Sequence, residues 1–319
     1  MKVLIVPGLT LREVSETDLA RIRDAGADEV VVSNPRDAIR DVADADVVLG
    51  HVSKEMFAAA GKLRWVQAIS SGVDSFLYDE FKASDVLLTS EKGLVGEHLA
   101  DHAFGLLLML TRQLATALKL GPDGWNHRPA MRIREIELAG STMGIFGFGG
   151  TGRAVARRAA GFGMQVRALD RDPVSGSPEV DRVLGLADFD ALLELSDVVA
   201  VCCPLTPETR GRFNADAFAR MRPSAYLVNV TRGEVMVEDD LVEALESGDI
   251  AGAALDVAPR EPLPADSRLW ALPNVVMSPH TAGASQFRAS RNMDRFVGNI
   301  RRFLDGERLA GNIDKELGY

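Results

Sequence analysis

Three polar side chains stand just past short apolar runs late in the chain. Arg232 follows Tyr226 to Val230, Glu261 lies beyond Ala253-Ala254-Leu255, and His280 comes after Val275-Val276-Met277. A guanidinium can grip a carboxylate through paired hydrogen bonds and polarise a neighbouring carbonyl. An imidazole, whose ordinary pKa is about 6.5, can hand a proton to a developing alkoxide or take one back. A carboxylate on its other ring nitrogen would hold the tautomer and favour the imidazolium form. These are the groups that interconversion of a 2-oxo and a 2-hydroxy acid asks for, with Arg232 holding the substrate, His280 as acid and base, and Glu261 orienting it. Spacing alone leaves plainer readings open: a satisfied structural histidine, a surface salt bridge at Arg232, an ordinary loop carboxylate at Glu261 among Pro259, Pro262 and Pro264.

Such a reaction needs a hydride carrier, and the turn Gly147-Phe148-Gly149-Gly150-Thr151-Gly152 fits one. It follows an apolar strand and opens a helix at Arg153, the context in which Gly-x-Gly-x-x-Gly carries meaning. Its glycines permit a tight turn, close approach of backbone to a pyrophosphate, and close helix–strand packing, with the helix N-terminus facing the anion. Asp170 ends the next strand, at about the 20-residue distance where a carboxylate meets the adenosine ribose. That carboxylate would repel the extra phosphate of NADP and favours NAD, while Arg171 keeps NADP possible. Asp256 is expected to accept a hydrogen bond from the nicotinamide carboxamide.

The elements that must position these groups are legible as alternation. Apolar runs at Val3–Val6, Val30–Val32, Val47–Leu49, Trp65–Ala68 and Val86–Leu88 are separated by amphipathic segments, as in a parallel α/β sheet. A helix apolar on nearly all sides is predicted from about Gly96 to Leu118, buried between layers or against a partner subunit. An irregular crossing is predicted at Gly121–Pro129. A second series then offers six strands, near Met143–Phe146, Gln165–Leu169, Val198–Cys202, Ala225–Val230, Ala251–Leu255 and Val275–Ser278, followed by a helix from about Ala284 to Leu304. The first-half turn Pro7-Gly8-Leu9 lacks the glycine spacing, so one nucleotide site is expected.

Composition narrows the partners. With 46% apolar and 26% charged residues over 319, the chain is an ordinary folded protein long enough for two domains. A net charge of −10, without a dense basic run, argues against nucleic acid. Cys202 and Cys203 are adjacent in an apolar run and read as reduced core residues of a cytoplasmic protein. No apolar stretch approaches a membrane span, and the N-terminal run is too short for a signal peptide.

The motifs Asn229-Val230-Thr231-Arg232-Gly233, Ala254-Leu255-Asp256-Val257 with Glu261-Pro262-Leu263-Pro264, and Ser278-Pro279-His280-Thr281-Ala282-Gly283 resemble the signature series of the D-isomer-specific 2-hydroxyacid dehydrogenases. Leu138 to Ile145 and Pro204 to Thr209 resemble that family too, so the likeness is dense from Leu138 to Gly283. It implies two doubly wound parallel-sheet α/β domains: a Rossmann NAD-binding domain (98–283, with a dimerisation helix and loop at 98–140) inserted into a flavodoxin-like substrate domain (1–97 plus 284–319). It implies that Arg232, Glu261 and His280 form the catalytic set of a homodimeric enzyme acting on a small 2-oxo or 2-hydroxy acid. Cys203, Pro204, Val230 and Thr231, beside these motifs, are expected at the cofactor. The turn Ser70-Ser71-Gly72-Val73-Asp74 matches the family's substrate loop, whose N–H groups, at Ser71, Gly72 and Val73, would cradle the substrate carboxylate opposite Arg232. The glycine turn departs from the family's frequent Gly-x-Gly-Arg-Ile-Gly, since Gly150-Thr151 replaces Arg-Ile; the pyrophosphate must then be held largely by backbone.

Two further patterns invite other readings. His98 and His102, four apart on a helix with Glu97 and Asp101, look superficially like a metal pair but lack a third ligand, so no metal is expected. A cofactor-binding scaffold without turnover is the alternative to an enzyme. The acid itself is not legible, because loops such as Trp125–Arg134 shape its pocket.

Overall fold

The computed structural model describes residues 1–319 and divides into two compact units, Met1–Val95 with Ala284–Tyr319, and Gly96–Gly283. The first holds five strands, β1 (Lys2–Ile5), β2 (Glu29–Val32), β3 (Val47–Leu49), β4 (Trp65–Gln67) and β5 (Leu87–Thr89), all parallel in the order β2-β1-β3-β4-β5. This is the flavodoxin-like order. Helices cover both faces, which is why the central strands read as unbroken apolar runs rather than as alternation. Val3 and Ile5 join Val47, Leu49 and Trp65 on one face, while Leu4 and Val6 join Val48 and Val66 on the other. The helix Arg288–Leu304 lays Met293, Phe296, Val297 and Ile300 on the first face. Its Arg288 and Asn292 reach the fully buried Glu91, so this carboxylate is paired inside the unit rather than left desolvated.

The second unit carries seven parallel strands, β6 (Thr142–Phe146), β7 (Gln165–Leu169), β8 (Val183–Leu184), β9 (Val198–Val201), β10 (Tyr226–Asn229), β11 (Gly252–Leu255) and β12 (Val275–Met277). Their order, β12-β11-β10-β9-β6-β7-β8, is the doubly wound dinucleotide-binding order with one more strand at the edge. The topology reverses between β6 and β9, and ligands of such sheets sit beyond the carboxyl ends of the strands at that point. The sequence predicts six strands in this series; the additional β8 has two residues, too few for periodicity to register.

Two local expectations are corrected. The predicted helix from Gly96 to Leu118 is two helices, Gly96–Thr111 and Leu114–Leu120, because Gln113 adopts the left-handed conformation (φ 52°) and its N–H and Nε2 both donate to the Leu110 carbonyl. The predicted irregular crossing at Gly121–Pro129 is a short 3-10 turn, Gly121–Asp123, running into a helix, Gly124–Arg134, that contains Pro129. The turn-forming composition acts only on its first three residues. No single helix is long and apolar enough to cross a membrane.

Candidate active site

The strand β6 delivers the chain into the glycine turn, and the helix Gly150–Gly161 leaves it with Gly149 as its N-cap. The glycines are required for different reasons. A Cβ on Gly152 would lie 2.1 Å from the carbonyl oxygen of Gly147, so the fold itself forbids a side chain there. A Cβ on Gly149 would meet nothing within 4 Å. Nothing in the protein demands glycine at 149; an anion approaching the helix N-terminus would. The residues present therefore fit a dinucleotide. Gly149→Ala is expected to weaken NADH binding about 10-fold with the melting temperature unchanged within about 2 °C. Gly152→Ala is expected to cost about 1–3 kcal/mol of stability, as overpacking does. Calorimetric melting and NADH fluorescence titration of both variants separate the two roles.

Asp170 follows β7 and does more than wait for a ribose. Its Oδ2 accepts the N–H of Phe148 at 2.6 Å and its Oδ1 accepts the N–H of Asp172 at 3.0 Å, so it fixes the glycine turn to the neighbouring strand. The Arg171 guanidinium lies against Asp172, with Nε 3.1 Å from Oδ1. Arg153 is a residue that sequence reasoning missed, although its place directly after Gly152 is a signal. Its guanidinium sits 4.6 Å from the centre of the Phe148 ring and donates to the carbonyls of Ser175 and Gly176, tying the segment after β7 to the turn. Gly150 is exposed and Thr151 half-buried at the helix start. After β9, Cys203 is buried with its backbone against Gly147, and Pro204 is exposed. Burial pushes the Cys202 thiol up to about 12 and raises that of Cys203 as well, so neither is a thiolate nucleophile.

The three catalytic candidates all follow strands of this same unit. Glu261, after β11, and His280, after β12, meet: His280 Nδ1 lies 2.7 Å from Glu261 Oε2. The other carboxylate oxygen accepts the Ala258 N–H at 3.0 Å, which fixes the carboxylate in its loop. With Nδ1 engaged, Nε2 is the nitrogen left to exchange a proton. His280 adopts the left-handed conformation, φ 53°, unusual for a residue with a Cβ. Arg232 follows β10, half-buried, and its Nη1 donates to the Thr231 carbonyl at 2.8 Å. Asn229 shapes that turn, donating from Nδ2 to the Arg232 carbonyl and accepting the Thr231 N–H at Oδ1. Val230 is buried and Thr231 half-buried.

Asp256 also has a role inside the unit itself. Its carboxylate is wholly enclosed and already engaged: Oδ1 accepts from Ser278 Oγ at 2.6 Å and from the Thr281 N–H at 2.9 Å, and Oδ2 from the Ala282 N–H at 2.8 Å. Its backbone carbonyl accepts the His280 N–H at 2.8 Å. These bonds orient the loop that carries His280.

The substrate-loop candidates lie in the five-stranded unit, beyond β4. Ser70 Oγ donates to the Gly72 carbonyl at 2.7 Å, Ser71 and Gly72 are half-buried, and Val73 is buried.

The sequence model of the D-isomer specific 2-hydroxyacid dehydrogenase NAD-binding domain matches residues 104–282. The chain belongs to that family. A glyoxylate reductase of Korarchaeum cryptofilum is 35% identical, over 96% of this chain and 95% of that one. An NADPH-dependent glyoxylate/hydroxypyruvate reductase of Sinorhizobium meliloti, solved with NADP and sulfate, superposes with a TM-score of 0.79 at 30% identity and full coverage of both chains. An NAD-dependent formate dehydrogenase of Staphylococcus aureus, solved with NAD, gives 0.75 at 27% identity over 98% of this chain and 99% of that one. This chain is thus an oxidoreductase-family member with an NAD-binding domain built on β6 to β12.

Proposed function

We propose that this 2-hydroxyacid dehydrogenase reduces a small 2-oxo acid to the D-2-hydroxy acid, with His280 as the acid, Glu261 orienting it and Arg232 holding the substrate carboxylate. The 2.7 Å contact between His280 and Glu261 carries the reading, because it fixes one ring nitrogen and frees the other at the carboxyl edge of the sheet. A dinucleotide held at the glycine turn would supply the hydride for the carbonyl carbon. As the carbonyl oxygen gains charge, His280 Nε2 delivers its proton to it, while Glu261 at Nδ1 holds the ring in line. Arg232 neutralises the carboxylate and withdraws electron density from the adjoining carbonyl. In the oxidative direction, the neutral His280 removes the hydroxyl proton.

NAD is the cofactor favoured by Asp170, whose carboxylate would face the extra phosphate of NADP; Arg171 beside it allows NADP at lower affinity. The relatives' names point to glyoxylate or hydroxypyruvate. Assembly as a homodimer is supported by the segment after Gln113, which leaves Leu118, Trp125 and Ile133 between 75% and 85% exposed.

The test follows absorbance of the reduced cofactor with NADH and with NADPH over glyoxylate, hydroxypyruvate and bulkier 2-oxo acids. The expected result is fastest turnover with one of the two small acids and a higher kcat/KM with NADH than with NADPH. Tight NADH binding without turnover on any 2-oxo acid would sink the enzymatic reading and leave a cofactor-binding scaffold.

A further inference from the structure

We infer that His102 is a positioning residue for His280, acting through Ser278 and Asp256; the inference rests on the reading of His280 as the acid. His102 projects from the helix Gly96–Thr111, and its Nε2 lies 2.7 Å from Ser278 Oγ and 3.4 Å from Asp256 Oδ1. Ser278 Oγ is itself 2.6 Å from that same Oδ1. A carboxylate only accepts, so the single hydroxyl hydrogen of Ser278 goes to Asp256. The Nε2 of His102 must then carry a hydrogen and donate it to Ser278. Sequence distance hides this relay, since 176 positions separate its first two members.

Its consequence is mechanical. Asp256 holds the chain on both sides of His280, through Ser278 Oγ before it and the Thr281 and Ala282 N–H groups after it, while its own carbonyl takes the His280 N–H. Those bonds keep His280 in the left-handed conformation that aims its ring at Glu261. An enclosed carboxylate needs its donors to stay in register, and His102 is the basic side chain that reaches it. Removing that donor frees Ser278 to rotate, loosens Asp256, and lets the His280 ring leave its line with the reacting oxygen. A misplacement on the order of 1 Å can cost about 100-fold in rate.

Two variants test this. His102→Leu keeps the helix and the apolar stem but removes the donor; His102→Gln restores an N–H donor at similar reach. In His102→Leu, kcat is expected to fall about 10- to 100-fold, with KM for the 2-oxo acid and NADH affinity within about 3-fold. His102→Gln is expected to recover most of that loss. Hydrogen exchange of the Thr281 and Ala282 amides is expected to quicken about 10-fold in His102→Leu, with the rest of the seven-stranded unit unchanged. Unaltered kcat and exchange in His102→Leu would overturn the inference, as would His102→Gln falling as far as His102→Leu or exchange rising throughout the unit. Should the unsubstituted protein reduce no 2-oxo acid, the proposed function falls, and the exchange comparison still decides whether His102 holds the His280 loop.

Discussion

Replacing His280 by Gln is expected to lower kcat for 2-oxo acid reduction by about 10²–10⁴-fold while NADH affinity stays within about 2-fold. Glutamine retains a polar side chain of similar reach but cannot deliver a proton to an alkoxide near neutral pH. The fold gives no reason for collateral damage, since His280 is exposed and its backbone N–H, not its ring, bonds to the Asp256 carbonyl. The ring bonds to Glu261, itself in a solvent-reaching loop, and such a pair contributes about 1 kcal/mol or less to stability. Steady-state kinetics beside an NADH fluorescence titration make the measurement. A His280→Gln protein that turns over within about 3-fold of the unsubstituted chain would remove His280 from the acid–base role. A matching loss of NADH affinity would mean that the side chain holds cofactor rather than moves a proton.

The strands and the glycine turn are legible in the sequence because their causes are local. β1 and β3 are covered on both faces, so Val3 to Val6 and Val47 to Leu49 are continuous apolar runs; β4 is enclosed too, and its polar Gln67 is accommodated by accepting from Thr89 and Asn299. Gly147, Gly149 and Gly152 stand out because pyrophosphate binding and helix packing place their demands within six residues. What escapes is set by contacts distant in sequence or by exceptions to composition. Gln113 breaks a helix whose apolar content continues beyond it, and the helix Gly124–Arg134 forms despite Pro129. The hold of Asp256 on the His280 loop is not visible in the sequence because its donors, Ser278, Thr281 and Ala282, stand 22 to 26 positions away. In the sequence His102 shows only its place four residues from His98 on one helix, which is no metal site; its hydrogen bond is to Ser278, at another strand's end. The two sides of the candidate catalytic pair, Glu261 and His280, are each visible, but only the fold brings Oε2 and Nδ1 to hydrogen-bond distance.

Arg232→Gln is expected to reduce kcat/KM for the 2-oxo acid by about 10³-fold, or about 4 kcal/mol at about 1.36 kcal/mol per factor of ten. Two charge-assisted hydrogen bonds to a carboxylate in a water-poor site are of that size together, whereas an exposed salt bridge is worth less than about 1 kcal/mol. The magnitude therefore discriminates between a substrate ligand and a surface ion pair. Part of the loss should appear in KM, because the carboxylate is present before and after hydride transfer, and part in kcat, because the guanidinium also draws charge from the carbonyl as it becomes an alkoxide. Arg232→Lys is expected to fall between, since a lysine restores the charge but not the planar fork. The hydrogen bond from Nη1 to the Thr231 carbonyl contributes about 1 kcal/mol to stability. Kinetics across a series of 2-oxo acids, with thermal melting as control, distinguish these terms. If both variants kept KM and kcat within about 3-fold, the substrate carboxylate would have to be held by backbone donors instead, and Arg232 would not be the substrate's cation.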